Sequence, residues 1–468
     1  MKQNASISTE NGSKSTPYVI LIVIIAALGG LLFGYDQGVI SGAVNFIDGQ
    51  FKMGDSLLGF ISGCIPLGAM VGCLVAGYMA DKIGRKLVLF TAAILFILSS
   101  FGCALAHSVG FLIVSRLIGG LGVGMASTLV PLYIAEIAPE KIRGTMVGGY
   151  QLAVASGIFV VYIVNAIIAN THTLAWNEHF GWRWMFAAGA VPGLLFFLLL
   201  FLIPESPRFL VKNGDESRAE NVLQKVQGNN APVKKQVTEI RESLQEENKG
   251  FWGELFSKGF RMAFFVAIVA AIMQQLTGVS AVAYYAPVIF KAAGAGTNAS
   301  LIETVLIGLV KVLFVIVFMF LVDKIGRKKL LLWGSALMAL CLFGLGFAFT
   351  TSPFTKLIDG FILALILLHT IAFELSWGGG AWVLISEIFP NRIRGRASSL
   401  ASCTLWLATY LVTQFFPIML SKLGSSWTYV IFGLFCVIMY LFTKYMIPET
   451  KEKSLEQIQK DWVAGSNG

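Results

Sequence analysis

Asp81-Lys82-Ile83-Gly84-Arg85-Lys86 recurs unchanged as Asp323-Lys324-Ile325-Gly326-Arg327-Lys328, each copy between two long apolar runs. Both copies are expected to be short charged loops. Two further motifs repeat in the same order at nearly the same offset. Glu136-Ile137-Ala138-Pro139-Glu140-Lys141-Ile142-Arg143-Gly144 answers to Glu387-Ile388-Phe389-Pro390-Asn391-Arg392-Ile393-Arg394-Gly395, and Pro204-Glu205-Ser206 to Pro448-Glu449-Thr450. Three charged motifs in one order identify a tandem duplication of a membrane unit.

The composition agrees. Mean hydropathy is +0.75, with 56% hydrophobic and 13% charged residues, far from a soluble profile. A membrane-spanning helix needs about 20 apolar residues. Such runs fall near 18–40, 57–80, 87–106, 109–134, 146–169, 184–203, 261–290, 300–322, 330–350, 357–386, 397–420 and 427–447. The expected fold is therefore all-α, with twelve transmembrane helices in two six-helix repeats. It divides into a disordered tail (1–17), an N-terminal half (18–203), a helical linker (204–260), a C-terminal half (261–447) and a second tail (448–468). Parallel repeats of this kind are the architecture of many secondary transporters.

A formal net charge of +9 raises the question of nucleic acid, and the distribution answers it. With both termini cytoplasmic, the outer loops hold only Lys52, Arg183, Lys291, Lys356 and Lys422. Arg116 and Lys311 alone lie within spans, and the rest of the 35 Lys and Arg face inward. That is the positive-inside rule, so the basic excess reports topology and not a nucleic-acid partner. The first apolar run contains Asp36 and lacks a good cleavage site, so it reads as an uncleaved span. The six cysteines and four histidines stand at no metal-ligand spacing, and no metal, cofactor or disulfide is expected. The linker stretches Glu216–Gln227 and Val233–Glu247 are amphipathic but too poor in apolar residues for an independent core; they are expected to dock beneath the bundle.

Within the spans, polar residues carry the chemistry. A lone carboxylate in hydrocarbon costs several kcal/mol, so Asp36 faces a cavity, meets a cation or holds a proton. Arg116 is the candidate cation. Two readings stand: a proton switch, in which ionised Asp36 pairs with Arg116 and protonation releases it, or a fixed ion pair. Gly119, Gly120, Gly122 and Gly124, with Gly68 and Gly72, suit small-residue faces that let helices approach. The run Gln274-Gln275-Leu276-Thr277-Gly278-Val279-Ser280, followed by Tyr284-Tyr285, puts amides, hydroxyls and phenols in one span. Gln151 adds an amide, and Trp377 and Trp382 offer flat apolar faces. Amides for hydroxyls and indoles for C–H faces suit a sugar, while interhelical hydrogen bonding accounts for the same residues singly. The repeated charges (Asp81, Arg85, Glu136, Arg143 and Glu205; Asp323, Arg327, Glu387 and Arg394) suggest a cytoplasmic gate. Exposed pairs contribute only about 0–1 kcal/mol each, so such a gate needs the network.

Jointly these stretches resemble the sugar porter family of the major facilitator superfamily over nearly the whole chain. They are GYDQGVISG (34–42), DKIGRK (81–86), RLIGGLGVG (116–124), PESPRFL (204–210), QQLTG (274–278), SEIFPNRIRG (386–395) and PET (448–450). Bacterial xylose–proton symporters are particularly similar, including Gly181-Trp182-Arg183-Trp184-Met185. The resemblance implies the major facilitator fold, with sugar held between two halves and exposed alternately to each side. It implies Asp36 as the proton-coupling carboxylate, Arg116 as its partner, and Gln151, Gln274, Gln275, Tyr284 and Trp382 at sugar-contact positions. Departures lie at Ser280 and Lys311, where the family has Asn, at Leu405 before Trp406, and in the proline-free Trp377-Gly378-Gly379-Gly380-Ala381-Trp382.

Lys311 and Glu374 are expected to form an ion pair at the cavity edge, since either alone is costly; the rival reading has Lys311 attracting an anionic sugar acid. The expected function is proton-coupled import of a neutral monosaccharide, pentose or hexose, by a monomer in the inner (plasma) membrane. Its partners are the sugar, protons and lipid; Ser280, Lys311, Glu374 and Trp406 complete the substrate-binding set. A proton-independent facilitator and a sugar-acid symporter using Lys311 remain alternatives. A sugar sensor needs a longer signalling tail than 448–468, and no nucleophile–base pair or cofactor motif supports an enzyme.

Overall fold

The structure, a computed structural model, describes residues 17–139, 143–228, 232–246, 260–351, 356–389 and 391–451. The side chains of Arg143 and Arg394, both expected at the gate, lie outside the described part. The N-terminal half comprises α1 (Pro17–Phe51), α2 (Asp55–Ile83), α3 (Arg85–Ala104), α4 (Val109–Ile137), α5 (Arg143–Thr171) and α6 (Leu174–Leu202). The linker carries α7 (Pro207–Lys212), α8 (Glu216–Gln227) and α9 (Val233–Glu246). The C-terminal half comprises α10 (Arg261–Ala292), α11 (Thr297–Ile325), α12 (Arg327–Ala348), α13 (Leu357–Ile385) and α14 (Asn391–Met446).

Among the described residues, eleven helical stretches are long and apolar enough to cross a membrane, the last being Ala397–Met446. That stretch is two helices joined across a kink at Gly424, where φ is 78°. The bundle therefore has twelve crossings, six before the linker and six after it. Helices satisfy their own backbone groups, which is what hydrocarbon demands of a spanning segment. Outward-facing Ile24, Leu98, Val191, Phe320 and Leu340 are exposed, as a lipid-facing surface requires.

Small residues set the packing within each half. A β-carbon on Gly124 of α4 would stand 2.2 Å from the Ala69 carbonyl of α2, and one on Gly34 of α1 would stand 2.0 Å from the Val154 carbonyl of α5. Only glycine permits those approaches. The contact of α1 with α4 brings Asp36 and Arg116 into one core. Between halves, α2 packs on α14 and α5 on α11. Some close cross-half contacts lie at the end opposite the repeated charged motifs. There Gln414 Nε2 donates to the Ser56 carbonyl at 2.9 Å, and a β-carbon on Gly59 would stand 2.2 Å from the Gln414 carbonyl. Deeper in, Tyr162 donates to the Ala283 carbonyl at 2.8 Å.

Two expectations need correction. The repeated six-residue motif is not a loop: α2 runs through Ile83 and α3 starts at Arg85, leaving Gly84 alone between them at φ 95°. Gly326 separates α11 from α12 in the same way at φ 96°. The charges are helix ends, and one glycine in a conformation closed to other residues makes the corner. Arg183, expected in an outer loop, lies within α6, whose helix starts ten residues earlier through a π turn at Asn177–Gly181. The linker helices share a small core of Leu210, Val211, Ala219, Leu223 and Val237. Lys212 ties them to the bundle through Asp81 at 3.3 Å.

Candidate substrate and coupling site

Asp36 sits past the middle of α1 and is buried, with Oδ2 lacking any hydrogen-bond partner. Arg116, on α4, is wholly buried. Its Nε donates to the Ile61 carbonyl at 2.8 Å, and its guanidinium lies 5.6 Å from the Phe186 ring centre. Both terminal nitrogens lack partners. Among the described residues no ion pair joins Asp36 to Arg116, although the two are close enough to interact electrostatically with each other and with Tyr284. An unfilled carboxylate oxygen and an unfilled guanidinium in one core leave hydrogen-bonding capacity unused, which is costly in low dielectric.

The polar band of α10 is built around a break at Gly278, whose φ is 80°. Gln274 Nε2 donates to the Trp377 carbonyl at 2.7 Å and the Gly378 carbonyl at 3.3 Å. Those carbonyls belong to a π turn, Glu374–Gly378, that interrupts α13. A π turn strands backbone groups and recurs at functional sites; here an amide side chain from α10 takes up the stranded carbonyls. Ser280 Oγ donates to Gln275 Oε1 at 2.5 Å, so the residue standing where the family has Asn fixes its neighbour's amide. Tyr284 is buried with its hydroxyl unpaired. Gln151 and Trp382 are half-buried, and Trp406 packs edge-on against Phe33 of the other half, ring centres 5.0 Å apart.

Trp377 behaves differently from Trp382. Its ring is fully buried and Nε1 donates to Ser335 Oγ at 2.9 Å, so it welds α13 to α12. Lys311 Nζ donates to Glu374 Oε1 at 2.5 Å, with side chains only 6% and 2% exposed. Glu374 Oε2 is buried and unpaired.

The charged motifs assemble within each half. Arg85 chelates Glu136 through Nε and Nη2, both at 3.1 Å, and reaches Asp81 at 3.4 Å. Glu205 caps α3 by accepting from the backbone N–H of Arg85 at 3.0 Å and of Lys86, while Ser206 donates to Glu136. Burial raises the Glu205 carboxyl above the usual range, against the Ser206, Lys86 and Arg85 N–H groups that favour its charged form. The second copy repeats this. Arg327 bonds Glu387 and Asp323, each at 2.8 Å, Glu449 accepts from the Arg327 N–H at 3.0 Å, and Thr450 donates to Glu387 at 2.5 Å. Glu449 was missed as a site residue, though the repeat of Pro204-Glu205-Ser206 as Pro448-Glu449-Thr450 pointed to it. His369, whose Nε2 lies 3.0 Å from the Thr277 carbonyl, had no signal beyond its place in a span.

Two helical halves joined by a linker, with unpaired polar groups buried among their spans, make a multi-pass membrane protein, and the family it matches makes it a transporter and not an enzyme. The chain belongs to the Sugar (and other) transporter family, which it matches over residues 22–462. It is 41% identical to the arabinose-proton symporter of Bacillus subtilis (strain 168) over 96% of each chain. It is 38% identical to the D-xylose-proton symporter of Escherichia coli (strain K12) over 97% of each. Its fold matches the partially occluded inward open conformation of the xylose transporter XylE from E. coli at a TM-score of 0.84 and 37% identity, covering 94% of this chain and all of that one.

Proposed function

We propose that this protein imports a neutral monosaccharide, pentose or hexose, together with a proton by alternating access. It works as a monomer in the inner (plasma) membrane with both termini cytoplasmic. The carrying observation is the buried, unpaired Asp36 beside the unpaired terminal nitrogens of Arg116. In this reading Asp36 takes a proton from outside and sugar binds Gln151, Gln274, Gln275, Ser280, Tyr284, Trp382 and Trp406. The halves rock, and sugar and proton leave inward. Ionised Asp36 then returns to Arg116; their lack of an ion pair among the described residues is compatible with the released arm of such a switch. The names of the relatives, symporters for pentoses and a hexose among them, support the substrate class.

For the gate residues, the geometry favours a particular role. Asp81, Arg85, Glu136 and Glu205, like Asp323, Arg327 and Glu387, lock the helix ends of their own half, so each half moves as one body. For Arg143 and Arg394 the gate role rests on the sequence repeat alone.

The test is uptake by purified protein in liposomes, with labelled pentoses, hexoses and sugar acids, with and without an inward proton gradient. Gradient-dependent accumulation of a neutral sugar is expected. Equilibration indifferent to the gradient would make the protein a facilitator and Asp36 a structural residue.

A further inference from the structure

We propose that His369 is a positioning residue that joins the break in α10 to the break in α13, so that the two interrupted helices move as one piece. The proposal rests on backbone groups and holds whichever sugar is carried.

Gly278 stops the first segment of α10 in the left-handed region, at φ 80°, and the carbonyls of a helix's last turn lose their donors there. Part of that loss is made good locally. Thr277 Oγ1 donates to the Gln274 carbonyl at 2.8 Å and accepts from the Val279 N–H at 3.4 Å, and the Gly278 N–H donates to the Gln275 carbonyl at 3.3 Å. The Thr277 carbonyl is served from another helix: His369 Nε2, on α13, lies 3.0 Å from it. A carbonyl only accepts, so Nε2 carries the proton. Nδ1 is then the bare nitrogen, and it is buried without a partner in a residue only 1% exposed. An apolar ring would fill the space without that cost, so the bond to Thr277 is what an imidazole contributes here.

A second bond runs the other way. Gln274 Nε2, one turn before Thr277, donates to the Trp377 and Gly378 carbonyls, which belong to the π turn of α13. Each interrupted helix thus supplies a donor to carbonyls at the other's interruption. Gln274, Thr277, His369 and Trp377 are all buried, and in low dielectric the loss of one donor leaves its partner stranded. Bending α10 at Gly278 by itself would strand carbonyls on both helices. Bending α10 and α13 together keeps both bonds, and His369 is the member of this clasp that reaches from α13 to the pivot of α10.

The experiment is amide hydrogen exchange, read by mass spectrometry on full-length protein in detergent, for wild type, His369→Phe and His369→Gln. Phenylalanine keeps the ring and removes the donor, whereas glutamine keeps an N–H donor. His369→Phe should raise exchange about two- to tenfold, the effect of one lost neutral hydrogen bond. The rise should appear in residues 278–284 of α10 and also in residues 374–382 of α13, while residues 119–126 of α4 stay as in wild type. His369→Gln should restore both segments. Gln274→Leu breaks the clasp from its other side and should give the same two-helix pattern, which serves where His369→Phe does not fold. A rise confined to one helix, or His369→Gln behaving as His369→Phe, would overturn the proposal. Failure of wild type to bind any neutral sugar would overturn the functional reading alone, because the exchange comparison needs no ligand.

Discussion

A β-carbon on Gly84 would stand 2.4 Å from Oε2 of Glu205, and one on Gly326 2.7 Å from Oε2 of Glu449. The glycine of one repeated motif and the glutamate of another are thus a single device made twice. The glycine turns the chain at a φ other residues avoid, and the carboxylate fills the space a side chain would take in order to cap the next helix.

Gly84→Ala should therefore lower stability by about 1–3 kcal/mol, from backbone strain alone, with a further loss from displacing the cap. Gly326→Ala should do the same. Thermal unfolding in detergent measures both. Gly77→Ala, where nothing stands within 4 Å of the new carbon, should leave the midpoint unchanged or raise it. Equal shifts at Gly84 and Gly77 would refute the device.

The two arginines of these corners should not be equivalent. Arg85 is chelated by Glu136 and is 5% exposed, whereas Arg327 is 12% exposed, faces a less buried Glu387 and leaves Nε unpaired. Removing Arg85 strands a buried carboxylate, costing about 3–5 kcal/mol. Arg327→Ala removes charged hydrogen bonds at a more exposed site, costing about 1.5–3 kcal/mol. Unfolding midpoints of the two alanine variants decide the order.

Asp36→Asn should abolish gradient-driven accumulation while sugar exchange between the two sides of a liposome, which needs no net proton movement, continues. Paired measurements of uptake under a proton gradient and of counterflow separate the two processes. Loss of both would reduce Asp36 to a folding residue.

Ser280→Ala should loosen Gln275 without altering charge. A lost neutral hydrogen bond contributes about 0.5–1.5 kcal/mol, or a two- to tenfold weaker sugar affinity. Calorimetric titration with the transported sugar reads this directly. An unchanged affinity would place Gln275 outside the site.

Much of this was legible in the residues because membranes narrow the options. Apolar runs had to be helices, and the repeat revealed two halves. The Lys311–Glu374 pairing followed from cost alone, since neither charge is tolerable unmatched in a span. What the sequence hid is what depends on angle. Asp81-Lys82-Ile83-Gly84-Arg85-Lys86 reads as a polar loop by composition, yet a single residue makes the corner. Trp377 and Trp382 look interchangeable as letters, but only the fold shows Ser335 claiming the first. The separation of Asp36 from Arg116 is likewise a property of one conformation, and no residue type encodes it.

The π turn at Glu374–Gly378 has a consequence for aim. Successive residues of an α-helix are rotated by about 100°. Glu374 and Trp382 are eight apart and in an unbroken helix would diverge by about 80°. One residue absorbed by the wider turn cuts that to about 20°, bringing the carboxylate and the indole onto one line. Deleting a single glycine from Gly378-Gly379-Gly380 would preserve the helix's hydropathy and leave it still long enough to cross the bilayer. It would also return the segment to even winding with the two groups seven positions apart and still about 20° from alignment, so their alignment depends on a phase that the letters alone do not display.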